Sequence, residues 1–111
     1  MTEWNERVAV ITGGASGIGL GMARAFGARG MKLVLADLDG ALLQEASEEL
    51  RAKGITTETK LCDVSKADEI DALADLALNK FGQVNVVCGN AGVGLPTSAR
   101  NMKLSDWEWI L

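Results

Sequence analysis

The residues of this chain whose types and spacing suit chemistry fall in four short stretches. These are Thr12-Gly13-Gly14-Ala15-Ser16-Gly17-Ile18-Gly19, Asp37-Leu38, Asp63-Val64 and Asn90-Ala91-Gly92. The first follows the β-branched and apolar run Val8-Ala9-Val10-Ile11, and Ile18, Met22 and Phe26 then recur at helical spacing. Strand, glycine-rich turn and helix in that order make an anion site. The turn lets backbone approach a ligand, and the new helix offers unpaired N–H groups and the positive end of its dipole. A pyrophosphate is the usual guest.

The loop is not a Walker A loop. That motif needs a Lys and a Ser or Thr directly after its last glycine, and here Leu20 and Gly21 follow Gly19. With no lysine to reach a γ-phosphate, nucleoside triphosphate hydrolysis is not expected. The strict G-x-G-x-x-G spacing is absent too; the pattern present is Thr12-Gly13-x-x-x-Gly17-x-Gly19. Gly13 is expected to need an unusual backbone angle, Gly17 to let the backbone approach the phosphates, and Gly19 to let the helix pack on the strand. A Gly17→Val change is expected to obstruct phosphate binding with little effect on folding.

Asp37 lies 18 residues after Gly19, at the carboxyl end of a predicted second strand. A carboxylate there can accept from both hydroxyls of an adenosine ribose. It also repels a 2′-phosphate, by up to about 4 kcal/mol at ~4 Å and an effective dielectric near 20, before salt screening. Ala15, Ser16 and Leu38-Asp39 supply no base to hold that phosphate. NAD is therefore expected over NADP. An Asp in this place could instead cap the next helix, a role for which Asp39 is better placed.

The elements that must position these residues alternate without a linker. Strand 1 and its helix end at Arg29-Gly30, a basic last turn and a glycine stop. Lys32 to Asp37 reads as strand 2, apolar on both faces as in a covered parallel sheet. The second helix carries Leu42/Leu43, Ala46 and Leu50 on one stripe and closes at Lys53-Gly54. Thr57 to Leu61 reads as strand 3. Ser65 is expected to cap the third helix, whose stripe is Ile70, Leu73, Ala77 and Phe81 and which Gly82 ends. Val84 to Cys88 reads as strand 4, and Ser105-Asp106-Trp107-Glu108 has capping-box spacing for a helix that breaks off within about a turn. The alternation implies right-handed crossovers and an α/β doubly wound parallel sheet, incomplete, with strand order 3-2-1-4. That order puts the loops after strands 1 and 4 on either side of a ligand crevice.

Composition narrows the partners. One compact unit spans residues 1–111, with 48% hydrophobic residues and few aromatics. A net charge of −4 without a basic cluster argues against nucleic acid. No apolar run approaches the ~20 residues a membrane span needs, and the acidic Met1 to Glu6 stretch lacks a signal peptide's core, so a cytoplasmic location is expected. Cys62 and Cys88 stand at no metal-ligand spacing and read as reduced structural thiols, and there is no His to join them.

Taken together, Thr12-Gly13-x-x-x-Gly17-x-Gly19, Asp37, Asp63-Val64 and Asn90-Ala91-Gly92 resemble the short-chain dehydrogenase/reductase family, with a Rossmann-like fold, over essentially the whole chain. The resemblance implies that Asp63 accepts from the adenine amine while Val64 packs near the ring. It implies that Asn90-Ala91-Gly92 lies against the cofactor, where the family has Asn-Asn-Ala-Gly and this chain has Gly89 in place of the first Asn. Ala15, Ser16, Ile18 and Leu38 join the cofactor site on the same grounds. The family's activity is hydride transfer between a nicotinamide and an alcohol or ketone, using an Asn in the fifth helix, a Ser and a Tyr-x-x-x-Lys pair. This sequence has no Tyr, and neither Ser98 nor Ser105 matches the family's catalytic serine. No catalytic residue is assigned.

The sequence thus reads as a single NAD-binding unit, truncated before the catalytic half of an enzyme that resemblance makes a homo-oligomer when complete. The alternatives are a non-catalytic dinucleotide-binding module, or phosphate binding without a nicotinamide. A reading frame continuing past Leu111 to a Tyr-x-x-x-Lys would separate the first two. The isolated chain is expected to lack turnover and either to self-associate through the apolar edge of strand 4, Val84, Val86 and Val87, or to be rescued by a chain supplying the missing half.

Overall fold

Val8 to Thr12 alternates its side chains between two apolar surroundings, and that alternation sets the layers. In the computed structural model, which describes residues 4–89, the elements run β1 (Val8–Thr12), α1 (Gly17–Ala28), β2 (Lys32–Asp37), α2 (Gly40–Ala52), β3 (Thr57–Leu61), α3 (Ala67–Phe81) and β4 (Val86–Gly89). The four strands pair in parallel in the order β3-β2-β1-β4. This is the Rossmann-like order expected from the alternation of strand and helix. Ala9, Ile11, Leu33 and Leu35 pack with Ala23 of α1 and Leu43, Ala46 and Leu50 of α2. Val8, Val10, Val34 and Ala36 face the other way, onto Leu73 and Ala77 of α3. Both faces of β1 and β2 are covered, which is why those strands carry almost no polar side chains.

Two local expectations are corrected, and α1 adds a finding of its own. Met22 and Phe26 of the helically spaced set are half-buried against the core, but they are not the deepest face of α1. Its buried residues are Gly19, Ala23 and Gly27, one position round, and Ile18 is 76% exposed. The small face wins because it lets the helix axis approach the sheet and the Ile55 side chain behind it. Ser65 does not cap α3. The N-cap is Lys66, without a side-chain cap bond, and the Ser65 hydroxyl donates instead to Asp63. Strand 4 starts at Val86 rather than Val84, because the Asn85 side chain intervenes: the Val8 N–H donates to Asn85 Oδ1 at 2.8 Å, and the Asn85 N–H to the Val8 carbonyl at 2.9 Å.

Two helix ends fall as the sequence expects and one is displaced. Asp39 caps α2, its side chain accepting from the Leu42 N–H at 3.0 Å. Arg29 stands at the C-cap of α1 rather than in its last turn. Gly82 stops α3 in the left-handed conformation, φ 74°. No helix among the described residues is long and apolar enough to cross a membrane.

Candidate functional site

Strand register assembles the site. Thr12 pairs with Ala36 and Gly89, and Asp37 with Leu61, so the carboxyl ends of all four strands share one edge of the sheet. Across that edge, the Thr12 hydroxyl donates to the Cys88 carbonyl at 3.2 Å. The sequence-predicted site residues among the described ones lie at this edge: Gly13, Ala15 and Ser16 in the loop after β1, Gly17, Ile18 and Gly19 in the first turn of α1, Asp37 and Leu38 at the end of β2, and Asp63 and Val64 after β3. Asn90, Ala91 and Gly92 follow β4 but lie outside the described residues.

The glycine loop is stitched to the end of β2 by two bonds. The Gly14 N–H donates to the Ala36 carbonyl at 3.1 Å, and the Ala15 N–H to Asp37 Oδ2 at 3.2 Å. Asp37 Oδ1 accepts from the Asp39 N–H at 3.2 Å. The half-buried Asp37 carboxylate is therefore held at a set angle beside the loop, with acceptor capacity left on both oxygens. Asp39 does the capping and leaves Asp37 to the crevice.

Two glycines have the backbone angles the loop needs, Gly13 at φ 62° and Gly17 at φ 55°. A Cβ built on Gly17 meets nothing within 4 Å, so it would project into the open space in front of the loop. Behind that space begins α1, with no side-chain cap bond at Ser16 and no acid in its first turn. Its first N–H groups and positive dipole end are left for an anion. These features fit a pyrophosphate, and the Asp37 carboxylate beside them fits a ribose diol.

Sequence reasoning missed Gly14. A Cβ there would sit 2.9 Å from the Ile11 carbonyl oxygen and 3.1 Å from Leu35 Cδ2, so glycine is what lets the loop turn tightly over β1 and β2. Its place between Gly13 and Ala15 gives no periodic signal; only the fold brings Leu35 to it. The rim beyond is apolar and open. Ile18 and Leu38 are 76% and 71% exposed, large side chains with little protein cover beside the glycine loop and Asp37.

On the other flank, Asp63 and Val64 are half-buried after β3, with Val64 packed against the α3 face of the core. Asp63 Oδ1 accepts from both the N–H and the hydroxyl of Ser65, at 2.9 and 2.6 Å. Those two bonds hold the Asp63 carboxyl below its ordinary range. Burial pushes the Cys62 and Cys88 thiols up, which keeps them protonated and unreactive at neutral pH. Among the described residues no group of His, Cys, Asp and Glu could hold a metal ion.

The comparison with known proteins decides the family. Residues 7–111 match the family model described as short chain dehydrogenase. The chain belongs to that family. A CLA biosynthesis dehydrogenase/reductase of Lactiplantibacillus plantarum is 33% identical over 111 residues, all of this chain and 39% of that protein. A short-chain dehydrogenase/reductase from Burkholderia phymatum, solved in complex with NAD, is 42% identical with a TM-score of 0.80 over 99% of this chain and 39% of its own. A metagenomic short-chain oxidoreductase in complex with NADP is 35% identical with a TM-score of 0.77, over 96% of this chain and 49% of its own. The chain thus spans less than half the length of these short-chain dehydrogenases. Their complexes include both nicotinamide dinucleotides, so membership of the family does not choose between NAD and NADP.

Proposed function

We propose that this chain is the cofactor-binding portion of an NAD-dependent short-chain oxidoreductase. The observation that carries the reading is the Asp37 carboxylate, anchored by the Ala15 N–H at 3.2 Å where the glycine loop meets the end of β2. In this reading Gly13, Ala15, Ser16, Gly17, Ile18 and Gly19 hold the pyrophosphate through backbone N–H groups and close approach. Asp37 accepts from the adenosine ribose, and Leu38, Asp63 and Val64 surround the adenine. Asn90, Ala91 and Gly92 serve the nicotinamide side on family grounds. When bound, the nicotinamide supplies hydride exchange with an alcohol or ketone, which is the activity proposed for the whole protein. The residues of this chain bind and orient the cofactor.

NAD is preferred because a 2′-phosphate would meet a carboxylate already fixed in place, with no base at Ala15, Ser16 or Leu38 to offset it. Calorimetric titration with NAD and NADP tests this. NAD should bind at least tenfold more tightly, a conservative fraction of the ~4 kcal/mol Coulomb bound. Asp37→Ala should narrow the gap mainly by weakening NAD. Equal affinities in the unaltered protein would refute the preference.

A second reading rests on the absence of Tyr and His from all 111 residues. With neither side chain, this stretch of sequence has no evident group to exchange a proton with an alcohol near neutral pH. On that reading the chain binds dinucleotide without turnover.

A further inference from the structure

We propose that Ser65 and Glu69 are positioning residues that hold Asp63 with its Oδ2 free to accept from the exocyclic amine of adenine. The inference rests on the reading of Asp63 as an adenine contact and extends it to two residues of the α3 entry that act through Asp63.

The argument starts from how Asp63 is tied down. The Cys62 N–H donates to the Asp37 carbonyl at 3.0 Å, so Asp63 is the first residue past the sheet's hydrogen bonding. Such a residue is ordinarily free to turn. Here its N–H donates to Glu69 Oε1 at 2.8 Å, and its carbonyl accepts from the Lys66 N–H at 3.0 Å. Oδ1 takes both Ser65 bonds, at 2.9 and 2.6 Å. Among the described residues nothing donates to Oδ2.

Backbone and side chain are thus fixed from opposite sides. Glu69 reaches back from the first turn of α3 to set the peptide, and Ser65 sets the carboxyl plane. Glu69 is itself steadied by Lys66, whose Nζ lies 3.7 Å from its Oε2. A short O–H···O bond to a carboxylate is among the stronger hydrogen bonds a side chain makes. It also favours the ionised form, which can only accept, and so suits an amine rather than a carbonyl partner. An unused acceptor oxygen on an otherwise fully bonded residue is the arrangement that reads a donor.

The probe is nicotinamide hypoxanthine dinucleotide, which presents a carbonyl where NAD presents the amine. Binding of both is measured by calorimetry on the full chain and its variants, with thermal melts in parallel. The unaltered protein should favour NAD, and Asp63→Ala should abolish that discrimination. Ser65→Ala and Glu69→Ala should each reduce it about fivefold, the worth of one hydrogen bond. Ser65→Thr and Glu69→Gln, which keep the hydroxyl and the acceptor oxygen, should restore it. If Asp63→Ala abolishes discrimination while Ser65→Ala and Glu69→Ala leave it intact and lower only the melting temperature, the pair merely starts α3 and the inference fails. If Asp63→Ala leaves discrimination unchanged, the adenine reading of Asp63 fails first and takes this one with it. Ser65 is exposed, so Ser65→Ala decides the matter even where Glu69→Ala does not fold.

Discussion

In the proposed reading, Gly17 serves ligand and backbone at once. Its φ of 55° lies in the left-handed region, and a Cβ there points into open space. Sequence reasoning expects Gly17→Val to cost binding and little in folding, and the open space around its Cβ agrees with that. The backbone angle says otherwise, because a β-branched residue held there is strained by about 1–3 kcal/mol. Both effects should therefore appear, lost dinucleotide affinity and a lower denaturation midpoint. Gly54 separates them. It has φ 79° and a similarly open Cβ, but follows α2, away from the site. Gly54→Val should cost comparable stability and leave NAD affinity unchanged. If Gly17→Val binds NAD as Gly54→Val does, the loop is only a turn.

At the scale of elements, the packing of α1 is decided by absence of bulk. A Cβ on Gly27 would lie 2.6 Å from Ile55 Cδ1 and 2.8 Å from its Cγ2. Alanine gains about 1 kcal/mol of helix propensity over glycine, but overpacking typically costs 1–3 kcal/mol. Because the clash includes the branched Cγ2, turning the end of Ile55 does not relieve it, and the steric cost should win. Gly27→Ala should lower stability alone. In a double-mutant cycle with Ile55→Ala the two changes should couple by about 1 kcal/mol or more in the compensating sense, and simple additivity would refute the contact.

The two helices on that face are also clamped by charge. Arg24 Nε and Nη2 donate to Glu49 Oε2 and Oε1 at 2.7 and 2.8 Å, and these bonds lower the Glu49 carboxyl from 4.5 to about 2. A depressed acid stabilises the fold above its unfolded value and loses that contribution as pH falls. The stability difference between the unaltered chain and Glu49→Gln should therefore be constant above about pH 4.5 and shrink toward about pH 2. The pair is solvent-exposed, so 1 M salt should shrink it as well. A difference unaffected by both pH and salt would mean that Glu49 acts by packing.

For the whole molecule, the proposed function separates dinucleotide binding from the reaction. The described residues bring the glycine loop, Asp37 and Asp63 to the carboxyl edge of the sheet, while the sequence contains no Tyr and no His. The 111-residue chain should accordingly bind NAD without oxidising alcohols. At a hundredfold excess over its dissociation constant, NAD should stabilise the fold by about 2.7 kcal/mol. ADP-ribose should do nearly the same, because the proposed reading gives the loop, Asp37 and Asp63 to the adenosine half, whereas nicotinamide mononucleotide should do little. A nicotinamide absorbance assay showing turnover, or stabilisation by the mononucleotide alone, would overturn this division of labour.

Much of this was legible in the sequence because it depends on local chemistry. Alternating apolar runs and helical stripes, punctuated at Gly30, Gly54 and Gly82, define a parallel sheet with helices between its strands. Asp39 as the cap in preference to Asp37, and Gly13 as a left-handed turn, follow from residue type and position. The face α1 buries was not legible, since hydrophobicity favours Ile18 and Phe26 while close approach favours Gly19, Ala23 and Gly27. Only the tertiary structure weighs the two. Gly14 against Leu35, Asn85 against Val8 and Glu69 against Asp63 are likewise contacts across the sheet or back along a turn. Periodicity records which residues are apolar and where a chain turns. It does not record which atoms the turns bring within reach, and at this site those distances decide how tightly each acceptor is held.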